Sequence, residues 1–320
     1  MPDDRNHSAA AGLDTRRPFT TAQGRAAGMS IRTITGPLHA RIARGVHVSA
    51  GREGDFAVRA EAALLLSPPG SRLSHHSAGR LWGLWLPDDP RIHVSVPVDS
   101  GRHSRPLMQV HRLSPEAARW DWEVNGLPLT GLDETLLGLA GCLSPVDLVG
   151  AIDSSYALGM TSPTHLADYA AGQQRHGARN LRQAVAMSRP GARSPRETAV
   201  RLLLGAAGYP EPELNYPIRT PRGTTVLLDL AYRAWKLAVE YDGRQHAESP
   251  AQYDKDVRRR EDVAGSGWHL IVAVNRDLTV APAGFLDRVD AMVRRTGGSP
   301  HRRRSECRSL FGGRVPLPRD

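Results

Sequence analysis

Cysteine is nearly absent: Cys142 and Cys307 are the two in 320 residues, and they stand far apart. That excludes a disulfide framework and fits a reducing compartment. Long apolar runs are absent too. None approaches the roughly 18 residues that argue for a membrane-spanning helix, so no membrane association is expected. The opening residues, Met1-Pro2-Asp3-Asp4-Arg5, lack the basic-then-apolar order of a signal peptide. These absences make a cytoplasmic protein the expectation. There is no phosphate-cradling P-loop, no dinucleotide-binding glycine fingerprint and no Gly-x-Ser-x-Gly elbow. The corresponding nucleotide-dependent and serine-hydrolase classes are therefore set aside. No internal repeat is visible.

What is present is positive charge. The net charge is +9, and the excess comes mainly from arginine. Such a chain attracts polyanions, nucleic acid first among them. An arginine-rich composition inherited from a GC-rich genome is the plainer alternative. With 40% hydrophobic residues the chain can build ordinary cores, and its length suggests two or three domains.

The pattern along the chain is uneven. Residues 1–17 are polar and aperiodic and are expected to be disordered. Over 18–52 the spacing predicts a winged helix-turn-helix. Thr20 caps a short helix, Gly28 ends it, and Ser30 caps a second. Leu38, Ile42, Val46 and Val48 then run through a tight turn at Arg44-Gly45. Residues 56–185 read as a middle α/β domain, with helices over 57–66, 76–84, 133–140 and 145–158 and a strand over 92–96. Another helix begins at Ser162-Pro163, and 173–191 read as a linker or an exposed helix. A last domain spans 192–296, and 297–320 form a basic, disordered tail.

The last domain carries the chemistry. Glu197 opens a helix in Ser194-Pro195-Arg196-Glu197. The same residues form a capping box, which is the structural explanation for Glu197. Asp229 sits in the apolar strand Val226–Tyr232, on the face of Leu227 and Ala231. Glu240 and Asp242 share a face of the next strand with Ala238. Arg233-Ala234-Trp235 is a short link, so the two strands should pair antiparallel, with Asp229 opposite residues 238–240. Carboxylates this close repel unless a cation joins them, and a hard divalent cation is the obvious partner. A metal held by such carboxylates, Asp229, Glu240 and Asp242 being the candidates, is a common device for cutting phosphodiesters. His246 follows in the loop as a candidate proton carrier. Arg259 either contacts a phosphate or pairs with Asp256 on one helix face.

These residues resemble the PD-(D/E)xK nuclease superfamily, and within it a family related to very-short-patch-repair (Vsr-like) endonucleases. The resemblance rests on Ser194–Glu197, Leu228–Ala231, Val239–Gly243 with His246, Asp256 with Arg259, and Gly267-Trp268. It implies a restriction-endonuclease-like αβββαβ core that holds Mg2+ at Asp229 and Glu240, with Glu197 assisting. The superfamily's usual lysine, two residues after the glutamate, is Asp242 here, and Lys236 starts the same strand too far away to replace it. Phe19–Gln23 with Arg44-Gly45-Val46, then Leu73–Ala78 and Leu129–Leu136, resemble the N-terminal region of AbiEi-type antitoxins. That resemblance implies a winged helix that binds DNA, with Arg44 and the loop residue Arg244 joining Arg259 as candidate phosphate contacts.

The expected fold is therefore mixed α/β, of the α+β class. The expected function is a Mg2+-dependent DNA endonuclease. The alternative is a DNA-binding transcriptional regulator or antitoxin that does not cut. DNA is the expected partner in either case; a toxin protein and a homodimer stay open as further partners. His75, His76, His93, His103 and His111 match no usual zinc spacing and have no cysteine pair nearby, so no zinc site is expected. Trp82, Trp85, Trp120 and Trp122 read as core or interface.

Overall fold

The computed structural model describes residues 12–101, 106–242 and 250–300, the side chains of 250–253, 255 and 256 not among them. The fold is mixed α/β, with three sheets among the described residues. The chain divides into two compact units, Met1–Gly83 with Pro87–Gly138, and Leu84–Leu86 with Leu139–Asp320. No helix among the described residues is long and apolar enough to cross a membrane.

The first unit begins with β1 (Phe19–Thr20), α1 (Thr21–Ala26), α2 (Ile31–Ile34), β2 (His39–Ala43) and β3 (Val46–Ser49). The three strands form an antiparallel sheet in the order β1-β3-β2. Thr20 Oγ1 accepts from the Gln23 amide at 3.1 Å, and Gln23 Oε1 accepts from the Thr20 amide at 2.7 Å. This reciprocal box starts α1. A Cβ at Gly24 would lie 2.8 Å from Ile34 Cδ1, so glycine lets α1 and α2 close over Phe19. Gly45, at φ 76°, turns β2 into β3. Residues 12–17, expected to be disordered, are tied down in part: the Ser49 amide donates to Thr15 O at 2.8 Å, and Arg17 pairs with Glu61.

The same unit continues with α3 (Phe56–Leu65), β4 (Arg72–Leu73), α4 (His75–Leu81), β5 (Ile92–Val96) and β6 (Met108–Arg112). It ends with α5 (Pro115–Ala118), β7 (Trp122–Val124), β8 (Leu127–Leu129) and α6 (Leu132–Leu139). The second sheet runs β6-β5-β4-β8-β7, with β5 parallel to β6 and β4 parallel to β8. Every residue of β5 is buried: Ala78 of α4 shares a core with Ile92, Val94 and Val96, and His76 lies against His93. Buried Arg72 donates to Ala117 O and Ala118 O at 3.2 Å and to Asp121 Oδ1 at 2.7 Å, which pins the turn after α5. Trp82 packs on this core, whereas Trp120 and Trp122, 67% and 47% exposed, lie outside it.

The second unit opens with α7 (Pro145–Ala157), α8 (Pro163–Ala171), α9 (Ala178–Met187) and α10 (Pro195–Ala206). Ser144, Ser162 and Ser194 cap three of these, each followed by proline at the first helical position. These helices lie in one unit with the C-terminal sheet, so the middle domain expected over 56–185 is divided near residue 138. The 173–191 stretch is not a linker or a fully exposed helix: α9 buries Ala178, Leu181 and Ala184.

Then follow β9 (Glu213–Arg219), β10 (Thr225–Tyr232), β11 (Leu237–Asp242), α11 (Pro250–Gly265) and β12 (His269–Val274). The last elements are α12 (Asn275–Thr279) and α13 (Pro282–Arg295). From α10 to β12 the order is αβββαβ. The sheet runs β12-β11-β10-β9, antiparallel except that β12 lies parallel to β11. One face buries Leu230, Leu237, Val239 and Ile271 against Val200 and Leu204 of α10 and Phe285 and Val289 of α13. The other buries Ala231 and Ala238 against Val263 of α11 and Trp268.

A charged pair is buried among the helices. Arg201 Nη2 donates to Asp153 Oδ2 at 3.0 Å, and the two side chains are 2% and 0% exposed. Asp153 also accepts from the Arg189 amide at 2.7 Å and from Thr198 Oγ1 at 2.8 Å. Arg201 further donates to Met187 O at 2.8 Å and Glu211 Oε1 at 3.0 Å. Burial pushes the Asp153 carboxyl up, and the arginine and the two other donors oppose it. Removing one partner strands the other charge without water. Asp153→Ala should therefore lose about 3–5 kcal/mol in urea denaturation; a loss below about 1 kcal/mol would show that the pair does not hold the helices.

Candidate functional site

Three of the candidate carboxylates meet at one end of the second unit's sheet. Ser194 Oγ accepts from the Glu197 amide at 3.1 Å and starts α10, while Glu197 Oε2 accepts from the Arg193 amide at 2.9 Å. The glutamate thus serves as a cap, reaching one residue beyond the capped position. Across β10 and β11, Leu230 pairs with Val239 and Ala231 with Ala238. Continued by one residue, that register places Asp229 opposite Glu240. The Tyr241 amide points to Asp229 Oδ2 at 3.4 Å. Asp242 lies two residues beyond Glu240 on the same face, where β11 pairs with Val274 of β12.

The electrostatics follow from this crowding. Burial pushes Asp229, Glu240 and Glu197 above the ordinary carboxylate values. The charge of Asp229 adds to the rise at both Glu240 and Glu197. Arg259, from α11, opposes it. Its Nη2 bonds to Glu240 Oε1 and donates to Leu227 O at 2.8 Å. Arg259, a candidate phosphate contact from the sequence, is here the cation beside Glu240. Lys236 stacks over Trp268 at 5.1 Å, away from Glu240 at the far end of β11.

Asp229 and Glu240 supply the hard oxygen donors that Mg2+ requires, and an ion held by one or two carboxylates plus water is its usual arrangement. The donor set fits that ion. Among the described residues, however, no three of these carboxylates bring oxygens within 4.8 Å of one another. Arg244 and His246 lie outside the described residues, as does the side chain of Asp256. A cavity of about 690 Å3 opens elsewhere in the same unit, lined by Leu143, Asn180, Met187, Arg201 and Glu211 and by none of the site carboxylates.

In the first unit Arg44 is exposed at the hairpin turn, as are Arg25, Arg32 and Arg41. Residues 15–52 contain no Asp or Glu, so this sheet and its two helices present one sign of charge.

His75, His76, His93 and His111 converge although their spacing matches no usual zinc site; His103 lies outside the described residues. His75, His93 and His111 form one group of potential metal ligands, and His76, Asp89 and His93 another. His93 is buried, and burial holds its imidazole below the usual value, with Asp89 opposing. Arg91 holds the Asp89 carboxyl well below the usual range. No local spacing could reveal this cluster, since the residues come from α4, β5 and β6.

No protein-family model matches the chain. The chain is similar to two uncharacterised proteins of Mycobacterium tuberculosis, one from strain CDC 1551 / Oshkosh and one from strain ATCC 25618 / H37Rv. Each is 25% identical over 217 residues, which cover 67% of this chain and 78% of the relative.

Because the folded state holds Asp229 above its unfolded value, protonation stabilises the fold: stability rises as pH falls through the raised value, and the charged form destabilises at neutral pH. Asp229→Asn should raise the melting temperature at pH 7 without divalent metal. A relief of about 1 kcal/mol corresponds to about 2–4 °C. A drop in melting temperature would mean that the charge is already compensated.

Proposed function

We propose that the chain is a Mg2+-dependent endonuclease acting on DNA, with a basic N-terminal DNA-binding module, working in the cytoplasm. The observation that carries this reading is the nearness of half-buried Asp229 to Glu240 on adjacent strands β10 and β11 of an αβββαβ unit. The Vsr-like resemblance of the same residues supports it.

In this reading Asp229 and Glu240 offer oxygens to the cation, and Asp242 or Glu197 completes its shell. Mg2+, when bound, supplies Lewis-acid charge to a phosphoryl oxygen and acidifies a water. Arg259 orients Glu240 by fixing one of its oxygens and puts a positive charge beside it. His246 stays a candidate proton carrier. The exposed Arg25, Arg32, Arg41 and Arg44 would grip phosphates without reading sequence.

A second reading is a DNA-binding regulator or antitoxin that does not cut. Asp242 at the lysine position favours it, because the residue that helps activate water is replaced by another anion. A toxin partner belongs to this reading, and a homodimer is compatible with both.

Nicking of supercoiled plasmid with Mg2+ or Mn2+ separates them. Wild type should nick, and Asp229→Ala and Glu240→Ala should each fall by at least about 100-fold. Cleavage that survives in both variants would refute the site. DNA retardation without cleavage at any metal concentration would move the second reading ahead. In either case, replacing Arg25, Arg32, Arg41 and Arg44 with alanine should flatten the salt dependence of binding by about 0.9 log–log units per lost phosphate contact. An unchanged slope would remove this face from the interface.

A further inference from the structure

We propose that His75, His93 and His111 form a binding site for a borderline transition-metal ion, Zn2+ foremost, with Asp89 as the positioning residue behind His93. The site uses none of the residues of the proposed nuclease centre and does not rest on that reading.

The geometry is that of a built site. Ligand nitrogens of the three histidines lie within 4.8 Å of one another. His93 Nδ1 is 3.0 Å from His111 Nε2. Two nitrogens on one tetrahedral Zn2+, each about 2.0–2.1 Å from the metal, stand about 3.3 Å apart. The spacing is already close to that value, and the rings of His75 and His93, whose planes lie 16° and 18° from that of His111, must turn to bring their lone pairs together on the ion. The rings of His75 and His111 are stacked at 3.6 Å.

Two of the three rings are held from behind. Asp89 Oδ2 lies 3.1 Å from His93 Nε2, which fixes the proton there and turns the Nδ1 lone pair toward the cluster. A carboxylate behind a ligating histidine orients the ring and raises its basicity. Asp89 is itself gripped by Arg91, whose Nη2 donates to Oδ2 at 3.0 Å and whose amide donates to Oδ1 at 2.9 Å. The His93 amide donates to Ser77 Oγ at 2.8 Å, which ties β5 to α4. His75 Nδ1 lies 3.0 Å from Ser74 Oγ, so Nε2 is the atom it offers. His75 sits at φ 49°, a backbone conformation that side chains other than glycine seldom adopt. A Cβ at Gly138 would come within 3.0 Å of its ring, so glycine there makes room for it.

Three imidazoles suit Zn2+ and its transition-metal neighbours, not Mg2+ or Ca2+, which prefer oxygen. Three protein ligands leave a fourth position for water or an exogenous ligand, as in open zinc centres. The neighbouring set, His76 with Asp89 and His93, would instead use Asp89 as a direct ligand through the other edge of His93.

The test uses the full chain, stripped with EDTA and desalted. Zn2+ is titrated against a chromophoric chelator, and Co2+ is added separately to read coordination from its visible bands. The expected result is one tight Zn2+ per chain and an intense tetrahedral Co2+ spectrum. His75→Ala with His111→Ala should abolish both, and Asp89→Asn should weaken binding about 10–100-fold. His76→Ala should leave both unchanged. A circular-dichroism melt of each variant guards against loss of fold. If a variant does not fold, the wild-type Co2+ spectrum decides: a pale octahedral spectrum overturns the site. No tight Zn2+ in wild type, or tight Zn2+ that survives the double replacement, also overturns it. Loss in His76→Ala with retention in His75→Ala overturns this ligand set in favour of its neighbour.

Discussion

The second unit is organised around one buried ion pair. Asp153 and Arg201 have almost no contact with water, and Thr198, Arg189, Met187 and Glu211 supply further bonds to them, with Arg201 Nε left unbonded. A charge in that position tolerates little displacement, because every lost bond leaves a polar group stranded. The pair therefore fixes how α10 is rotated against α7. Glu197 stands one turn before Arg201 on α10. Its place beside Asp229 is thus inherited from an interaction that has no role in the chemistry. Hydrophobic burial of Val200, Leu203 and Leu204 holds the helix to the sheet, but apolar contacts alone specify rotation less sharply than directed bonds.

The carboxylate site shows the opposite balance. There the fold tolerates crowding that raises the carboxyls above their ordinary values, and a single arginine from α11 offsets part of it. Such electrostatic tension is common where a site is arranged for a ligand and not for stability. The position of Arg259 follows from the parallel pairing of β11 with β12. The crossover through α11 lays that helix across the face that carries Asp229 and Glu240.

The histidine cluster is built by different means. One ring comes from the strained first residue of α4, and two come from adjacent parallel strands. The site is spread over almost forty positions of sequence, with a carboxylate and an arginine behind it. It is compact only because β5 is covered on both faces and its polar residues must find partners inside the unit.

Much of the carboxylate site was legible in the sequence. Alternation placed Asp229 with Leu227 and Ala231, and the short Arg233–Trp235 link forced an antiparallel register that brings Asp229 to Glu240. Serine followed by proline marked the starts of α7, α8 and α10, since that pairing satisfies and pre-shapes the first helical turn. β9 was not legible, because Pro217 disrupts a strand pattern and is tolerated only at a sheet edge. The sequence by itself determined local matters: helix starts, turns and side-chain alternation, which depend on neighbours a few residues apart. The tertiary structure decided which elements share a unit, that Arg259 neutralises Glu240, and that histidines from α4, β5 and β6 meet. Those outcomes rest on packing between segments distant in the chain, and no local spacing encodes the distances that packing creates.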